Sequence, residues 1–405
     1  MLHRVILAAL LTGTVQAADW PEFLGPARSG IVADDQWRRD WPDEGLPILW
    51  RAKVGTGFSS LAVADGRLFT LGNADETDTV WCLDSKSGKV LWKHSYPSEV
   101  WPYLYEGGPN ATPTVHGAWV YTLGRHGEFF CFDAATGKIK WQVDLHKDLG
   151  LAKPRWGFSS PPLVEGGKLF LNAGTRGLAL DAATGAVVWS SGKEPAAYAR
   201  PVAVDLEGER ALLIFGPQDL FAVKEADGAL LWSYPWKTQH HVNTVEPLVS
   251  GNKVFLSSPY GFGGGVLEIS RGGAREVWKN KEMANHFATC VLLDGHLYGT
   301  HGNDAKDARL KCLDFQTGEV KWSREGFGLA SLMVAGGRFI LLSERGELLW
   351  SEVSLAAFEP KGRAQILGGK CWTPPALVEG LLYARNARGD LVCVDLRRKL
   401  GVALR

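Results

Sequence analysis

The chain has 405 residues, 45% of them hydrophobic and 22% charged, with 44 basic and 44 acidic side chains. This length holds one large or two ordinary domains, and the composition is that of an ordinary globular chain. The balanced charge removes any electrostatic case for nucleic acid or for an anionic membrane as partner.

Residues 1–17 read as a secretory signal. His3 and Arg4 precede an apolar run from Val5 to Leu11, and Val15-Gln16-Ala17 fits a small-residue cleavage site. The run is shorter than the ~20 residues a membrane helix needs. No later segment reaches that length, and no cysteine stands near the cleavage site to carry a lipid. The expectation is an exported chain, periplasmic or secreted, without a transmembrane segment. An N-terminal arm covers residues 18–47 and one repeat domain covers 48–405.

From residue 48 onward a motif recurs. CLDSKSGKVLW (82–92), CFDAATGKIKW (131–141), ALDAATGAVVW (179–189) and CLDFQTGEVKW (312–322) share one pattern, with weaker copies at 222–232 and 268–278. Upstream of each copy stand two more short apolar runs. In SSPPLVEGGKLFLNAGTRGLALDAATGAVVW, four such runs are separated by turn signals, the pattern of a four-stranded antiparallel meander. The terminal tryptophans fall at Trp50, Trp92, Trp141, Trp189, Trp232, Trp278 and Trp322, with Ile366 in the eighth register. Four strands per roughly 40–50 residues is the spacing of a propeller blade.

The motif has a physical reading. Asp133 caps a turn by accepting backbone N–H groups. Gly137 supplies the positive φ of a type I turn with a G1 bulge. Trp141 points into the seam between blades. The small residue two positions before the aspartate (Cys82, Cys131, Ala179, Cys312, Cys393) makes room for an indole. Third strands end near 84, 133, 181, 224, 270, 314, 352 and 395, which makes eight blades. No outer-strand sequence follows Asp395, whereas ILWRA at 48–52 is an outer strand without a blade. Ring closure by this N-terminal strand resolves both and hides two sheet edges. The cysteines at 82, 131, 312 and 393 occupy equivalent positions in different blades, too far apart to pair. At least four free thiols are expected, with Cys290 and Cys371 left open.

The repeat AxDxxTGKxxW resembles the tryptophan-docking motif of PQQ-type quinoprotein propellers over nearly all of residues 48–395. The arm DWPEFLGPARSG and the stretches GGPNATP, WGFSSPP, YPWKT and KCWTPP resemble secreted bacterial PQQ-like repeat proteins. The resemblance implies an all-β, eight-bladed β-propeller of four-stranded antiparallel blades. Similar propellers include PQQ-dependent alcohol dehydrogenases and the propeller lipoprotein of outer-membrane β-barrel assembly. In the dehydrogenases a quinone stacks on a tryptophan at the axis beside Ca²⁺, an aspartate base and often a ring of two adjacent cysteines. This chain has no Cys-Cys pair, few insertions, and no acidic spacing on the loop face that singles out a calcium site. No catalytic residue carries over by motif.

Function is therefore sought on the face that bears the long, varied loops at 93–110, 142–158 and 233–243, since binding residues concentrate in loops on a rigid scaffold. Candidate ligand-binding residues there are Asn110, Arg155, Trp156, Tyr198, Arg200, Trp236, Lys237, His241, Asn243, Tyr260, His286, Lys370, Trp372 and Arg385; Trp101, Tyr103, Tyr105 and His240 share the face. Aromatic rings with basic groups can cradle a planar anion. His240-His241 lacks a third ligand at a recognisable spacing, so no metal is expected. The reading is an exported binding or scaffold module without bound cofactor, whose partner is another exported protein, a glycan or a small ligand, and which is monomeric. The alternative is a PQQ-dependent dehydrogenase with calcium.

Overall fold

The computed structural model describes residues 19–398, apart from 101, 103 and 104. The signal expected at 1–17 and two of the loop-face aromatics, Trp101 and Tyr103, lie outside these residues. Among the described residues the strands form eight antiparallel sheets arranged in chain order. Blades 1 to 6 span residues 62–97, 114–144, 163–190, 202–235, 248–280 and 291–324. Blade 7 spans 331–365, and blade 8 combines 376–395 with the N-terminal strand Ile48–Lys53. That strand pairs antiparallel with Asp390–Asp395, so the ring closes as the repeat register requires. No helix is long and apolar enough to cross a membrane among the described residues.

The recurring motif builds the blade seams. Asp133 Oδ1 accepts the N–H of Ala135 (3.1 Å) and of Thr136 (2.8 Å), and the Thr136 hydroxyl at 2.8 Å. The outer strand then enters through a β-bulge between Ile139 and Trp141, and the same irregularity recurs at every blade that carries a docking tryptophan. A bulge re-aims the side chain that follows it. The indole N–H of Trp92 donates to Ala134 O (3.0 Å), Trp141 to Ala182 O (3.1 Å) and Trp189 to Glu225 O (3.0 Å), each in the next blade. Trp50, Trp232, Trp278 and Trp322 do the same to Ser85, Ser270, Phe315 and Ser354, all at 2.9 Å. Burying ~200 Å² of indole at ~25 cal/mol/Å² gives about 5 kcal/mol per tryptophan as an upper bound.

The turn glycine has a second reason to be glycine. Gly137 has φ +72°, and a Cβ there would lie 2.6 Å from Trp92 Cδ2 of the preceding blade. Gly88, Gly185, Gly228 and Gly318 meet the preceding indole in the same way. Gly137→Ala is therefore expected to lower stability on the order of 3 kcal/mol, combining left-handed strain with displacement of a buried ring. Gly208→Ala is the control, since Gly208 has φ +86° but nothing within 4 Å of a new Cβ. Equal loss at the two sites in denaturant melts would show that strain alone matters.

Blade 7 departs from the pattern. Ile366 does not occupy the eighth docking register. The residue opposite the third strand there is Gly362, paired with Trp350 and without a bulge. The indole has moved to the position that other blades reserve for a small residue, so a side chain at 362 would strike the Trp350 ring. The arm fills the vacated seam between blades 7 and 8. Trp37 is fully buried with its ring edge against Trp350 at 5.7 Å, and Arg38 N–H donates to Leu396 O at 2.5 Å. Leu396 follows Asp395 as Ala134 follows Asp133, so this carbonyl is the docking acceptor left without an indole.

The start of the arm plugs the central channel, which the repeat pattern did not foretell. Trp20 exchanges both backbone hydrogen bonds with Val63 of the blade 1 inner strand, each 2.7 Å. Val115 N–H of blade 2 donates to Pro21 O (2.8 Å), and Arg28 Nη2 donates to Val164 O of blade 3 (3.3 Å). Ile31–Val32 then pairs in parallel with the blade 7 inner strand, and Asp34 Oδ2 accepts Gly380 N–H of blade 8 at 3.1 Å. All six cysteines are free and buried, including Cys290 and Cys371. Burial pushes the Cys290 thiol up to about 12, which keeps it protonated and inert.

Candidate functional site

Above the plug, on the loop-rich face, an axial cavity of about 510 Å³ opens between the segments that lead into the inner strands. This volume suits a small ligand or a few side chains. Phe23 of the arm lies at its floor. Phe58, Tyr105, Trp156, Tyr198, Tyr260, Phe287 and Trp372 supply aromatic walls, contributed by different blades. The rings support one another. Trp372 stacks on Phe287 (4.2 Å, 16°) and Phe58 (5.5 Å, 27°), and Phe287 stacks on His286 (3.7 Å, 21°). Tyr260 meets His286 edge-on at 5.1 Å, and Tyr105 meets Trp156 edge-on at 5.8 Å. A pre-packed aromatic wall loses little side-chain entropy when a ligand arrives.

The floor carries buried charge. Arg200, 2% exposed, donates from Nη1 to Glu22 Oε2 (2.6 Å) and from Nη2 to Glu246 Oε2 (2.9 Å). Arg28 closes the far side of Glu22 at 3.0 Å. The network ties the arm to the approaches of blades 4 and 5. Burial raises the Glu246 carboxyl to about 7 against the opposing pull of Arg200, and its Oε1 has no hydrogen-bond partner among the described residues. Desolvation lowers His286 to about 4, so its ring is neutral at pH 7.

The sequence-predicted residues divide into two groups. Asn110, Trp156, Tyr198, Arg200, Tyr260, His286 and Trp372 all line the cavity. Arg155 lies beside it, its guanidinium 5.2 Å from the Trp156 ring centroid. Lys370 is ion-paired with Glu106 at 2.9 Å and sits 4.2 Å over Trp372. The others stand elsewhere. Trp236 is core, its indole N–H donating to Ser258 Oγ (2.9 Å), and Asn243 is buried, donating to Gly216 O (2.7 Å). Lys237 is exposed, and exposed His241 bonds Gln218 at 2.7 Å. No cluster of three metal-ligating side chains forms among the described residues. Arg385 is fully buried in blade 8, with no ion-pair partner among the described residues, and donates to carbonyls of the blade 1 approach.

Sequence reading passed over Phe23, Phe58, Phe287, Glu344 and Thr373, which also line the cavity. Gly-Phe-Ser-Ser occurs at 57–60 and again at 157–160, yet Phe58 faces the cavity while Phe158 is core. The tetrapeptide alone cannot separate the two fates.

A quinone cofactor can be tested against this wall. Pyrroloquinoline quinone is a planar polycarboxylate, so it asks for uncommitted cations and a flat ring surface. Among the described lining residues the one cation, Arg200, is held by the carboxylates of Glu22 and Glu246, and Asp304 and Glu344 add negative charge. Trp372 is already stacked on two rings. The residues present do not fit that cofactor.

The family model described as outer membrane protein assembly factor BamB matches residues 34–104 and 98–324. The BamB of Yersinia pestis is 24% identical over 75% of this chain and 78% of its own length. A quinohemoprotein alcohol dehydrogenase of Pseudomonas putida is 29% identical over 46% of this chain, but over only 30% of its own. Among solved structures, BamB from Moraxella catarrhalis superposes with a TM-score of 0.61 at 17% identity, covering 86% of this chain and 99% of that one. A quinohemoprotein alcohol dehydrogenase from Comamonas testosteroni gives 0.67 at 14% identity, covering 94% and 81%. At these identities the superpositions establish the shared eight-bladed frame. With a family match over more than half of its length, joined to seven docked tryptophans and a strand-closed ring, the chain belongs to the BamB family of PQQ-like β-propellers.

Proposed function

We propose that this protein is an exported binding module that holds a segment of another envelope protein in its axial cavity, on a scaffold that carries no quinone. The observation that carries this reading is the cavity itself: aromatic walls drawn from several blades, floored by the arm and open on the loop face. The relatives named outer membrane protein assembly factor favour a protein partner over a glycan or a metabolite. The charge of the lining disfavours the dehydrogenase reading, because a polycarboxylate cofactor would meet Asp304 and Glu344.

Two measurements test the proposal together. A photo-crosslinking residue at Tyr260, on the cavity wall, is expected to trap a discrete envelope protein in intact cells, whereas the same residue at exposed Leu355 traps none. Titration with the quinone in calcium buffer is expected to give no saturable heat. Saturable quinone binding with dye-linked alcohol oxidation would reverse the assignment.

A further inference from the structure

The cavity has surplus hydrogen-bond acceptors on one side. Glu344 accepts only from neutral donors, the Trp372 indole N–H (2.9 Å) and Leu329 N–H (3.1 Å), and has no ion-pair partner among the described residues. A carboxylate offers about four acceptor positions, so part of its capacity is unspent. Asp304, in the adjoining loop, accepts Lys306 N–H at 2.7 Å and Asp307 N–H at 3.3 Å and also has no ion-pair partner among the described residues. Deeper in, Glu246 Oε1 and Thr373 Oγ1 are buried without a partner among the described residues, in residues 4% and 2% exposed that line the same space. The single guanidinium of the lining has both terminal nitrogens committed to Glu22 and Glu246. The other cations near the mouth are also engaged: Lys370 by Glu106, Arg125 by the Tyr105 hydroxyl (2.6 Å), and Arg155 stacked against Trp156. Arg125 and Arg155 stand on the blade 2 and blade 3 side, across from Glu344 and Asp304.

We propose that the Glu344–Asp304 side of the axial cavity receives a positively charged nitrogen on an aliphatic stem, a guanidinium or a primary ammonium. This rests on the cavity being the binding site. The stem packs against Tyr260 and along the edges of the stacked Phe287–Trp372 pair, and the charged end donates to Glu344. Cations are attracted to aromatic faces as well as to carboxylates. The chain's own Lys370, 4.2 Å over Trp372, already shows that contact at the mouth. An anionic ligand would be repelled by the same carboxylates. A neutral one would leave Glu344 buried deeper against it without a counter-charge, which is costly. The chemistry is shared by a basic side chain on a partner's loop and by a free alkyl amine or guanidine.

The test is calorimetric titration of the mature chain at pH 7.5 and low salt. The probes are n-butylguanidinium, its neutral counterpart n-butylurea, butyrate, and a glycine-flanked arginine peptide. The guanidinium is expected to bind at least ten-fold more tightly than the urea, with butyrate silent, and to weaken as salt rises. Glu344→Gln and Asp304→Asn are each expected to lower its affinity about ten-fold. Asp304 lies in an exposed loop, so the second variant remains informative should the first fold poorly. A peptide that binds more tightly than butylguanidinium assigns the nitrogen to a polypeptide partner, and the reverse order assigns it to a small amine. Equal binding of the urea, or unchanged affinity in both variants, overturns the cation proposal. If no probe binds while Tyr260 still crosslinks a partner, the cation proposal fails and the cavity reading stands. If Tyr260 also traps nothing, both fail.

Discussion

Removal of residues 18–54 is expected to abolish the cooperative thermal transition. The deletion takes away the outer strand Ile48–Lys53 and leaves the edge of Asp390–Asp395 unpaired. It also removes Trp50 from the seam of blades 8 and 1, Trp37 from the seam of blades 7 and 8, and Trp20 from the channel, all at most 9% exposed. Three buried indoles at about 5 kcal/mol each amount to roughly 15 kcal/mol as an upper bound. That equals the whole stability of an ordinary domain. Calorimetry of the truncated chain should show a broad, weak transition and strong binding of hydrophobic dyes. A melting temperature equal to that of the chain from residue 18 onward would show that the ring closes without the arm.

Arg385→Met is expected to destabilise the fold by about 3–5 kcal/mol, the largest effect of any single substitution at a sequence-predicted site residue. The guanidinium is fully buried and donates to Ser59 O (3.1 Å), Thr70 Oγ1 (2.9 Å) and Leu71 O (2.6 Å) from Nη1. It donates to Gly55 O (2.9 Å) and Gly57 O (3.0 Å) from Nη2. Burial lowers its pKa to about 9, so it stays charged at neutral pH without a carboxylate beside it. Two effects oppose. Removing an uncompensated buried charge relieves several kcal/mol. Five acceptors lose a hydrogen bond from a charged donor, worth roughly 1.5–3 kcal/mol each, and this sum is the larger even though Ser59 O keeps the Thr70 hydroxyl as a donor. Arg385→Lys should recover little, since three tetrahedral donors cannot reproduce the planar fork. Guanidine melts decide the sign, and an Arg385→Met variant as stable as wild type would mean that the desolvated charge had cancelled all five bonds.

Both expectations concern the seam where the ring closes, and that seam is also where sequence legibility changes. The strand order, the blade count and the closing strand follow from local rules. An Asp-Thr-Gly turn, a bulge and a tryptophan recur at fixed offsets, and ILWRA at 48–52 carries the same register without a blade of its own. Where blade 7 breaks those offsets, the pattern misleads: it places Ile366 in a register that Gly362 holds. The docking indole had moved to Trp350, and no offset rule announces a tryptophan that changes strands.

The candidate site was legible by face but not by residue. Loop length marks the functional face because the opposite turns are short and repetitive. Which loop-face side chains converge depends on where eight separate segments meet at the axis. Trp236 and Trp372 look alike in sequence, yet the first is core and the second lines the cavity. Arg200 and Arg385 are both buried arginines, one between two carboxylates at the cavity floor and one among carbonyls at a seam.

By itself, then, the sequence determined the blade, because a blade is made by contacts within some forty to fifty residues and repeats them. Only the tertiary structure decided the cavity and its floor. The N-terminal arm reaches an inner strand more than 300 residues away, and Glu22 finds Arg200 across 178 positions. Such contacts carry no periodicity, since they are made once, by ring closure, and no turn chemistry encodes them.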